Sequence, residues 1–237
     1  MGPIIVSIDG NIGSGKSTII DYLSQYFTQY LNTHRINNSK LKNFKEYKIA
    51  YLFEPVDEWQ KVVDKNGESI LSHFYKDQRR WAYAFQSMAY ITRLIELQKA
   101  IDDEYDIIFT ERSIMTDKNV FAKMLYVNRI ISDIEYAIYN KWFDHFSSIV
   151  KNIKTVYIKT KPEICMLRIQ NRKRKGEDII PLSYLKDCHY YHETWLNNIT
   201  RQDIIVIDGN IETNSSNFID NLYFQTIQEK IVKFLFM

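Results

Sequence analysis

The chain has 237 residues, a net charge of +2 and a pI of 8.3, with 45% hydrophobic and 25% charged residues. These values are typical of a soluble globular protein, and the near-neutral charge gives no broad basic surface for nucleic acid, so an anion site has to be local. No apolar run approaches the roughly 18 residues of a membrane-spanning helix. The length and the lack of a Pro/Gly/Ser-rich linker predict one α/β domain over residues 1–237.

The cysteine content and the start of the chain bear on the compartment. Two cysteines, Cys165 and Cys188, are too few for a disulfide framework and indicate a reducing environment. The first predicted strand begins near residue 4, which leaves no room for a signal or transit peptide. We therefore expect a cytoplasmic protein with no membrane and no nucleic-acid partner.

The first predicted element is a buried strand over residues 4–8, which leads into GNIGSGKST at residues 10–18. This segment matches G-x-x-x-x-G-K-[ST], the phosphate-binding loop, whose glycines let backbone N–H groups point at phosphate oxygens. Lys16 would reach the β- and γ-phosphates, and the Ser17 hydroxyl would bind Mg²⁺. A helix with apolar spacing follows over residues 18–31, so its N-terminus would face the phosphates. A glycine-rich turn without a nucleotide is the alternative. The predicted nucleotide-binding residues of the loop are Gly10, Asn11, Ile12, Gly13, Ser14, Gly15, Lys16, Ser17 and Thr18.

Four further short apolar runs follow, at residues 49–53, 106–110, 155–158 and 204–207. Runs without alternation are typical of strands that helices cover on both faces, so we predict a five-stranded parallel sheet. The active site of such a sheet lies outside the carboxyl ends of the strands. Helices are predicted at about residues 79–102, 115–126, 131–149, 162–171, 181–199 and 217–235.

Charged residues follow the predicted strands. EPVDEW comes after the second strand, Glu111 and Arg112 come after the third, and the fourth unit leads into a basic segment at residues 168–178. A carboxylate at such a strand end is costly to desolvate unless it meets a metal, a cation or a proton. We therefore expect these strand ends to converge on the phosphate-binding loop. The alternative for each is a solvated strand-end charge.

Eight segments carry a resemblance that spans nearly the whole chain: GNIGSGKST at 10–18, EPVDEW at 54–59, FY at 74–75, RWAYAFQ at 80–86, Arg93, ERSIMTD at 111–117, RIQNRKR at 168–174 and IPLSYLKDCHYYHETWL at 180–196. With these motifs at similar spacings, the chain resembles a deoxyribonucleoside kinase of the deoxycytidine/deoxyguanosine kinase family. Taken together, the segments are far more specific than the phosphate-binding loop alone.

The resemblance implies a P-loop kinase fold and transfer of the γ-phosphate of ATP to the 5′-hydroxyl of a deoxynucleoside, in nucleotide salvage. Glu54 would act as general base on that hydroxyl, with Arg112 beside it near the phosphates. Ser17 and Glu111 are implied in Mg²⁺ binding. Phosphoryl transfer depends mainly on positioning and charge stabilisation, which a phosphate loop, one metal ion and several guanidinium groups supply.

A basic lid over about residues 171–179 is also implied by the resemblance. Arg172 and Arg174 would close over the transferring phosphoryl group, since arginine pairs bidentately with phosphate oxygens and stays charged. Arg168 would lie against the adenine of ATP. The segment 208–218 would correspond to an adenine-contacting loop but is longer and richer in Asn and Ser than in the family, so the choice between ATP and another triphosphate stays open. The family also suggests a homodimer formed through helices.

The deoxynucleoside pocket is assigned through the resemblance as well. Tyr75 and Glu177 would hold the 3′-hydroxyl of the deoxyribose. Gln86, Arg93 and Asp117 would contact the edge of the base. The walls of the pocket are assigned to Trp59, Phe85 and Phe109 or their neighbours.

The base preference follows from the donors and acceptors of this pocket. Asp117 offers only acceptors, Arg93 only donors, and Gln86 both. An acidic acceptor favours an exocyclic amino group or a ring N–H, so we expect deoxycytidine or a purine deoxynucleoside to be preferred over thymidine. Thymidine-preferring and broad-specificity insect-like members resemble one another in having smaller or apolar residues in place of the Arg/Asp pair, although GNIGSGKST itself resembles that insect branch. In the alternative, Arg93 and Asp117 form a buried structural ion pair without contact to the base.

Two other segments have competing interpretations. The run RKRK at residues 172–175 fits the lid, and its alternative is a nuclear-localisation or RNA-contact patch. His189 and His192 lie three residues apart on a predicted helix, where a solvated helix face is favoured over a metal site.

Two other functions share this fold. One is a non-catalytic accessory subunit of a respiratory complex, against which the presence of Lys16, Ser17, Glu54 and Arg112 argues. The other is a nucleoside monophosphate kinase, against which the segments EPVDEW and ERS together argue.

Overall fold

A five-stranded parallel sheet forms the centre of the protein. The computed structural model describes residues 2–37, 46–150, 153–174, 179–211 and 221–236. Its strands are β1 (Ile4–Asp9), β2 (Ile49–Leu52), β3 (Ile107–Glu111), β4 (Ile153–Lys159) and β5 (Ile204–Asp208). Their order is β2-β3-β1-β4-β5, and every neighbouring pair is parallel. The predicted α/β fold is therefore confirmed.

Helices cover this sheet. The described α-helices are α1 (Lys16–Asn37), α2 (Val56–Lys61), α3 (Ile70–Lys76), α4 (Gln78–Asp102), α5 (Ile114–Thr116), α6 (Lys123–Val127), α7 (Asp133–Phe146), α8 (Pro162–Arg172), α9 (Leu182–Leu196) and α10 (Leu222–Phe236). A π-helical turn, Asp117–Ala122, joins α5 to α6, and a 3-10 turn, Ser147–Ile149, follows α7. Within the described part of the chain, no helix combines the length and the apolar character needed to cross a membrane.

Alternate residues of β1 pack on opposite faces of the sheet, as the pleat of a strand requires. Val6 and Ile8 belong to the core that includes residues of α1 and α10, whereas Ile5 packs with Leu97 of α4 and Ile108 of β3. Because both faces are buried, the strands lack polar alternation. Each such side chain stabilises the fold by about 1.5–3 kcal/mol.

The strand order determines where a ligand site is expected in this sheet. The chain runs from the central β1 to β2 and β3 on one side of it, and then to β4 and β5 on the other. The carboxyl ends of β1, β3 and β4 therefore meet where the direction of winding changes, which is where ligands bind in sheets of this type. The phosphate-binding loop leaves β1 at this point.

The predicted helices agree with the structure in most cases, with two differences. α2 and α3 were missed, because six or seven residues are too few to show a helical period. The helix predicted over 115–126 is confirmed as a helical segment, but its middle part, Asp117–Ala122, is a π-helical turn between α5 and α6. Residues 217–220 of the last predicted helix lie outside the described residues.

Candidate active site

The phosphate-binding loop joins β1 to α1 with glycine at three demanding positions. Gly10, Gly13 and Gly15 have φ angles of 149°, 75° and 102°. Residues with a side chain rarely adopt this backbone, and a Cβ on Gly13 would lie 2.6 Å from the Cys165 carbonyl oxygen. The loop leads into the N-terminus of α1, where unbonded backbone N–H groups favour an anion.

Lys16 is a buried cation at the start of α1. Its Nζ donates to the Asn11 carbonyl oxygen at 2.8 Å and lies 3.8 Å from Oε1 of Glu111. Burial, and then the nearby Arg112, lower the pKa of Lys16 to about 8, while Glu111 and Glu54 oppose that shift. A phosphate bound beside Lys16 would favour its charged form.

Ser17 and Glu111 bring a hydroxyl and a carboxylate together. Ser17 Oγ donates to Glu111 Oε1 at 3.0 Å, which joins the first turn of α1 to the end of β3. Within the described residues, no cluster of three or more His, Cys, Asp or Glu side chains could hold a metal ion. The two oxygen groups nevertheless fit Mg²⁺, which binds through one or two protein ligands, substrate phosphates and water.

Glu54 and Arg112 form an ion pair across two neighbouring strand ends. Nη1 of Arg112, which follows β3, donates to Oε1 of Glu54, which follows β2. The same Glu54 oxygen lies 3.5 Å from Nη2 of Arg93. Burial alone would raise the pKa of Glu54, but Arg112, Arg93 and Lys16 lower it to about 2. Glu54 is therefore a carboxylate at neutral pH.

Arg93 and Asp117 form a second, buried pair. Arg93 Nε donates to Asp117 Oδ2 at 2.9 Å, and its Nη1 donates to the Glu111 carbonyl oxygen at 2.6 Å. Burial raises the pKa of Asp117, and Arg93 opposes that rise. Both side chains also line the cleft that contains Glu54. The pair is therefore structural and at the same time open to a ligand.

The cleft encloses about 410 Å³. On its wall, the rings of Trp59 and Phe85 meet edge to face with centroids 5.2 Å apart, and Trp59 Nε1 donates to Thr92 Oγ1 at 3.0 Å. Gln86 lines the same space and is 2% exposed, and its Oε1 has no hydrogen-bond partner among the described residues. Leaving such an atom unpaired costs roughly 1–3 kcal/mol, which a bound ligand would offset.

Three arginines line the cleft at α8 and just beyond it. Arg168 Nη1 donates to the Ser14 carbonyl oxygen at 3.1 Å, and its Nη2 donates to the Ile211 carbonyl oxygen at 2.9 Å. Arg172 is the last residue of α8, and Arg174 lies two residues beyond it. Residues 175–178 of the predicted lid, including Glu177, lie outside the described residues.

The predicted site residues converge. Asn11 supports the loop, since its Nδ2 donates to the Leu185 carbonyl oxygen at 2.8 Å. The predicted residues that line the cleft are Ile12, Gly13, Gly15, Lys16, Ser17, Thr18, Glu54, Trp59, Tyr75, Phe85, Gln86, Arg93, Glu111, Arg112, Asp117, Arg168, Arg172 and Arg174.

Comparison with known proteins confirms, over most of the chain, the family that the sequence motifs resemble. The deoxynucleoside kinase family model matches residues 6–233. The chain belongs to the deoxynucleoside kinase family. It is 32% identical to deoxycytidine kinase 2 of Gallus gallus, covering 86% of this chain and 82% of that protein. It is 35% identical to a fowlpox virus protein named probable deoxycytidine kinase, covering 91% and 81%. It is 28% identical to the mitochondrial deoxyguanosine kinase of Xenopus laevis, covering 83% and 74%.

Family membership supports phosphotransferase activity with a nucleotide as phosphate donor and a deoxynucleoside as acceptor. The accessory-subunit and monophosphate-kinase alternatives are not favoured.

One predicted wall residue of this deoxynucleoside kinase lies elsewhere. Phe109 of β3 is fully buried in the core, where its ring stacks on Tyr51 and meets Phe27 edge to face. Neighbouring residues of β3 point to opposite faces, so Phe109 faces the α1 side of the sheet. The prediction that it walls the pocket was wrong.

His192 also differs from its prediction. A solvated position was expected, but the residue is fully buried, with its ring stacked on Tyr157. Its Nδ1 lies 2.7 Å from the Cys188 carbonyl oxygen. Burial lowers the pKa of His192 to about 3, so it is neutral at physiological pH. The histidine is a packing residue of α9. Cys165 and Cys188 are free and buried.

Part of the pocket wall was not predicted from the sequence. Ala89 lies on α4 between Gln86 and Arg93, at the helical spacing that places all three on one face, so this spacing could have found it. Phe121 lies four residues after Asp117 and is the next residue of that turn to face the cleft. The missed lining residues are Val56, Leu71, Phe74, Ala89, Phe121 and Tyr184.

Proposed function

We propose that this deoxynucleoside kinase transfers the γ-phosphate of ATP, with Mg²⁺, to the 5′-hydroxyl of deoxycytidine or a purine deoxynucleoside in preference to thymidine. The proposal rests mainly on one observation. The Arg93–Asp117 pair and the unpaired Gln86 oxygen line the same cleft as Glu54, Arg112 and the phosphate-binding loop. Recognition and phosphoryl transfer would then occur in a single space.

The donor nucleotide would occupy the end of the cleft formed by the phosphate-binding loop. Lys16 would bind the β- and γ-phosphates, and Ser17 and Glu111 would hold Mg²⁺, which neutralises charge on the phosphates. Arg168, which bridges the Ser14 and Ile211 carbonyl groups, would flank the adenine. Arg172 and Arg174 would contact the transferring phosphoryl group.

Glu54 would take the proton of the 5′-hydroxyl. Its pKa of about 2 keeps it ionised but makes it a weak base for an unreacted alcohol. The alcohol becomes more acidic as its oxygen bonds to phosphorus, so the proton would move late in the step. Arg112, which already donates to Glu54, would hold the carboxylate in place and stabilise negative charge nearby.

The base would lie against Gln86, Arg93 and Asp117. Arg93 Nη2 is 3.5 Å from Asp117 Oδ1, whereas Nε is 2.9 Å from Oδ2, so Oδ1 is the less strongly engaged oxygen. An amino group on cytosine or a purine would find an acceptor there, and thymine would offer a carbonyl oxygen in its place. Trp59 and Phe85 would enclose the ring.

The sugar would lie between the base and Glu54. Tyr75 lines the cleft and, by the resemblance, would hold the 3′-hydroxyl with Glu177. Glu177 lies outside the described residues, so this part of the proposal rests on the family motif and on the place of Tyr75.

A homodimer through α4 and α7 is also part of the proposal. Two neighbouring helices expose apolar side chains at i, i+4 spacing: Ile91 and Ile95 on α4, and Ile134, Ile138 and Trp142 on α7. Ile134 and Trp142 are 74% and 57% exposed in the single chain. Exposed apolar side chains on two neighbouring helices mark an interaction surface, and a second copy offers the matching surface.

Two free thiols suit a reducing compartment, and we propose that the protein is cytoplasmic.

An acceptor comparison tests this proposal. The purified chain is incubated with ATP, Mg²⁺ and either deoxynucleosides or the matching monophosphates, and the phosphorylated position is read by phosphorus NMR. We expect a 5′-monophosphate and ADP from the deoxynucleoside, and no deoxynucleoside diphosphate from the monophosphate. Formation of a deoxynucleoside diphosphate, or no product from folded protein that binds ATP, would overturn the proposal.

A further inference from the structure

Asp9, the last residue of β1, carries a fully buried carboxylate outside the cleft wall. Ser7 Oγ donates to its Oδ2 at 2.5 Å, and Thr116 Oγ1 donates to its Oδ1. The first bond stays within β1, whereas the second reaches the segment that follows β3. Asp9 therefore joins the strand of the phosphate-binding loop to the segment of Arg112 and Asp117.

Thr116 is in turn hydrogen-bonded to Ser113. Its Oγ1 accepts from the Ser113 N–H at 3.2 Å, and its own N–H donates to Ser113 Oγ at 3.3 Å, so the two residues form a capping box. The two hydroxyl oxygens also lie 3.1 Å apart. Because Thr116 gives its hydroxyl proton to Asp9, the Ser113 hydroxyl has to donate in that contact. An acceptor at position 9 thus sets the direction of the bond between the two hydroxyls.

The segment held in this way includes a strained residue. Arg112 has a φ of 60°, in the left-handed region, which is strained backbone for a residue other than glycine. Its N–H donates to the Ile8 carbonyl oxygen at 3.0 Å, and its own carbonyl oxygen accepts from Thr110 Oγ1 at 2.9 Å. The Ser113 N–H, on the next peptide bond, is the group that Thr116 binds.

We propose that Asp9 is a positioning residue for this kinase, acting through Thr116 on both Arg112 and Asp117. Fixing the Ser113 N–H fixes the backbone that aims the Arg112 guanidinium at Glu54. Asp117 is the residue after Thr116, so the same hydroxyl fixes where its carboxylate meets Arg93. Asp9 thereby links β1, the strand that leads to the phosphate-binding loop, to Arg112 and to the Arg93–Asp117 pair.

Two near-isosteric substitutions test this role, which rests on the proposed function of the cleft. Asp9→Asn replaces one of the two acceptor oxygens by an NH₂ donor, and Thr116→Val replaces the hydroxyl by a methyl group. The measurements are kcat per ATP-binding site, with sites counted by calorimetric titration, and the kcat/KM ratio between the best and worst deoxynucleosides of the wild-type protein. Neither measurement depends on the fraction of folded protein.

Both variants should lower kcat per site by about 10- to 100-fold, as expected for a misplaced reacting group. They should also reduce the kcat/KM ratio by about fivefold or more, because Asp117 moves with Thr116. The double variant should be no worse than the more severe single variant, since both remove one connection. Thr116→Ser keeps the hydroxyl, so its kcat per site and its kcat/KM ratio should match those of the wild type.

Ser7→Ala is the matched control. It removes the other hydrogen bond to Asp9, the one from Ser7 Oγ. Ser7 is as buried as Thr116, but its hydroxyl does not bond to the segment after β3. We expect a lower melting temperature and an unchanged kcat/KM ratio.

A purely structural Asp9 would give the opposite pattern. If Asp9→Asn and Thr116→Val both lower the melting temperature while kcat per site and the kcat/KM ratio stay within twofold of wild type, the positioning role is wrong. If Asp9→Asn acts and Thr116→Val does not, the route through Thr116 is wrong. Should Asp9→Asn fail to fold, Thr116→Val decides by the same measurements.

The kcat/KM ratio compares the deoxynucleosides that rank first and last for the wild-type protein, whichever they are. A preference for thymidine would therefore contradict the proposed function but would not affect this test of Asp9. If the wild type binds deoxynucleosides without turnover, the proposed transfer fails. The ratio of calorimetric dissociation constants for the same two nucleosides then tests Asp9.

Discussion

Nε of Arg93 and Oδ2 of Asp117 lie 2.9 Å apart within the cleft, although the two residues are 24 positions apart in the chain. Arg93 comes from the middle of α4 and Asp117 from the first residue of the π-helical turn. Both are buried, so each depends on the other for charge compensation. A ligand at this point meets a donor and an acceptor held in fixed positions.

Replacing this pair should change base preference. Arg93→Met with Asp117→Ala should bring kcat/KM for thymidine closer to that for deoxycytidine by about 5- to 150-fold, the range for a mispaired buried polar group. The pair Lys118 and Asp144, with Nζ and Oδ1 3.2 Å apart, lies outside the cleft and is the matched control. Lys118→Met with Asp144→Ala should leave the preference unchanged. An unaltered preference in the first double variant would show that Arg93 and Asp117 make no contact with the base.

Removing the proton acceptor should slow turnover. Glu54→Gln keeps size and hydrogen bonding, so kcat should fall by roughly 100- to 10,000-fold while nucleoside affinity changes little. Glu58→Gln, on the exposed side of α2, is the control and should keep wild-type kcat. If Glu54→Gln instead retains kcat and loses nucleoside binding, Glu54 positions the substrate and the proton goes elsewhere.

The pH dependence of stability should report the same carboxylate. The folded pKa of Glu54, about 2, lies below its ordinary value of 4.5, so its ionised form stabilises the folded protein above pH 4.5 and that contribution is lost as pH falls toward 2. Wild type should therefore be more stable than Glu54→Gln at pH 7, and the difference should shrink below about pH 4.5. Urea unfolding at a series of pH values measures this, and a gap that widens on acidification would contradict the assigned direction.

Nucleotide affinity should weaken at alkaline pH. The pKa of Lys16 is lowered to about 8 in the free protein, so the amine loses its charge as pH rises through that value. The dissociation constant for ATP should increase above pH 8 in the wild type, whereas Lys16→Met should bind weakly and without this inflection. Calorimetric titration from pH 6.5 to 9.5 measures both, and parallel curves would contradict the role of Lys16.

The proposed dimer predicts an effect of charge on the exposed face of α7. Trp142→Glu should give a monomer in sedimentation experiments, because a carboxylate in an apolar interface has to be desolvated without a partner. Tyr190 on α9 is 63% exposed and lies outside this face, so Tyr190→Glu should leave the assembly unchanged. A Trp142→Glu protein with the wild-type mass would place the interface elsewhere.

The sequence predicts the strands and the phosphate-binding loop well because both depend on local patterns. The run at Ile4–Asp9 is buried on both faces, and the three glycines of the loop have backbone angles that few other residues adopt. Neither feature needs knowledge of distant contacts.

The missed features depend on packing between distant elements. Phe109 belongs to a buried strand, and its face is decided by the sheet register rather than by its aromatic character. His192 looks like a surface residue, yet Tyr157 of β4 covers its ring. The bond from Thr116 to Asp9 joins residues 107 positions apart, and no spacing rule could have indicated it.

The most direct test of the central claim is kcat/KM for the four deoxynucleosides with ATP and Mg²⁺. We predict turnover at the 5′-hydroxyl, with deoxycytidine or a purine deoxynucleoside exceeding thymidine by about 5- to 150-fold, because Asp117 and Arg93 match an amino-bearing base edge. A wild-type protein that prefers thymidine would contradict the account of this cleft.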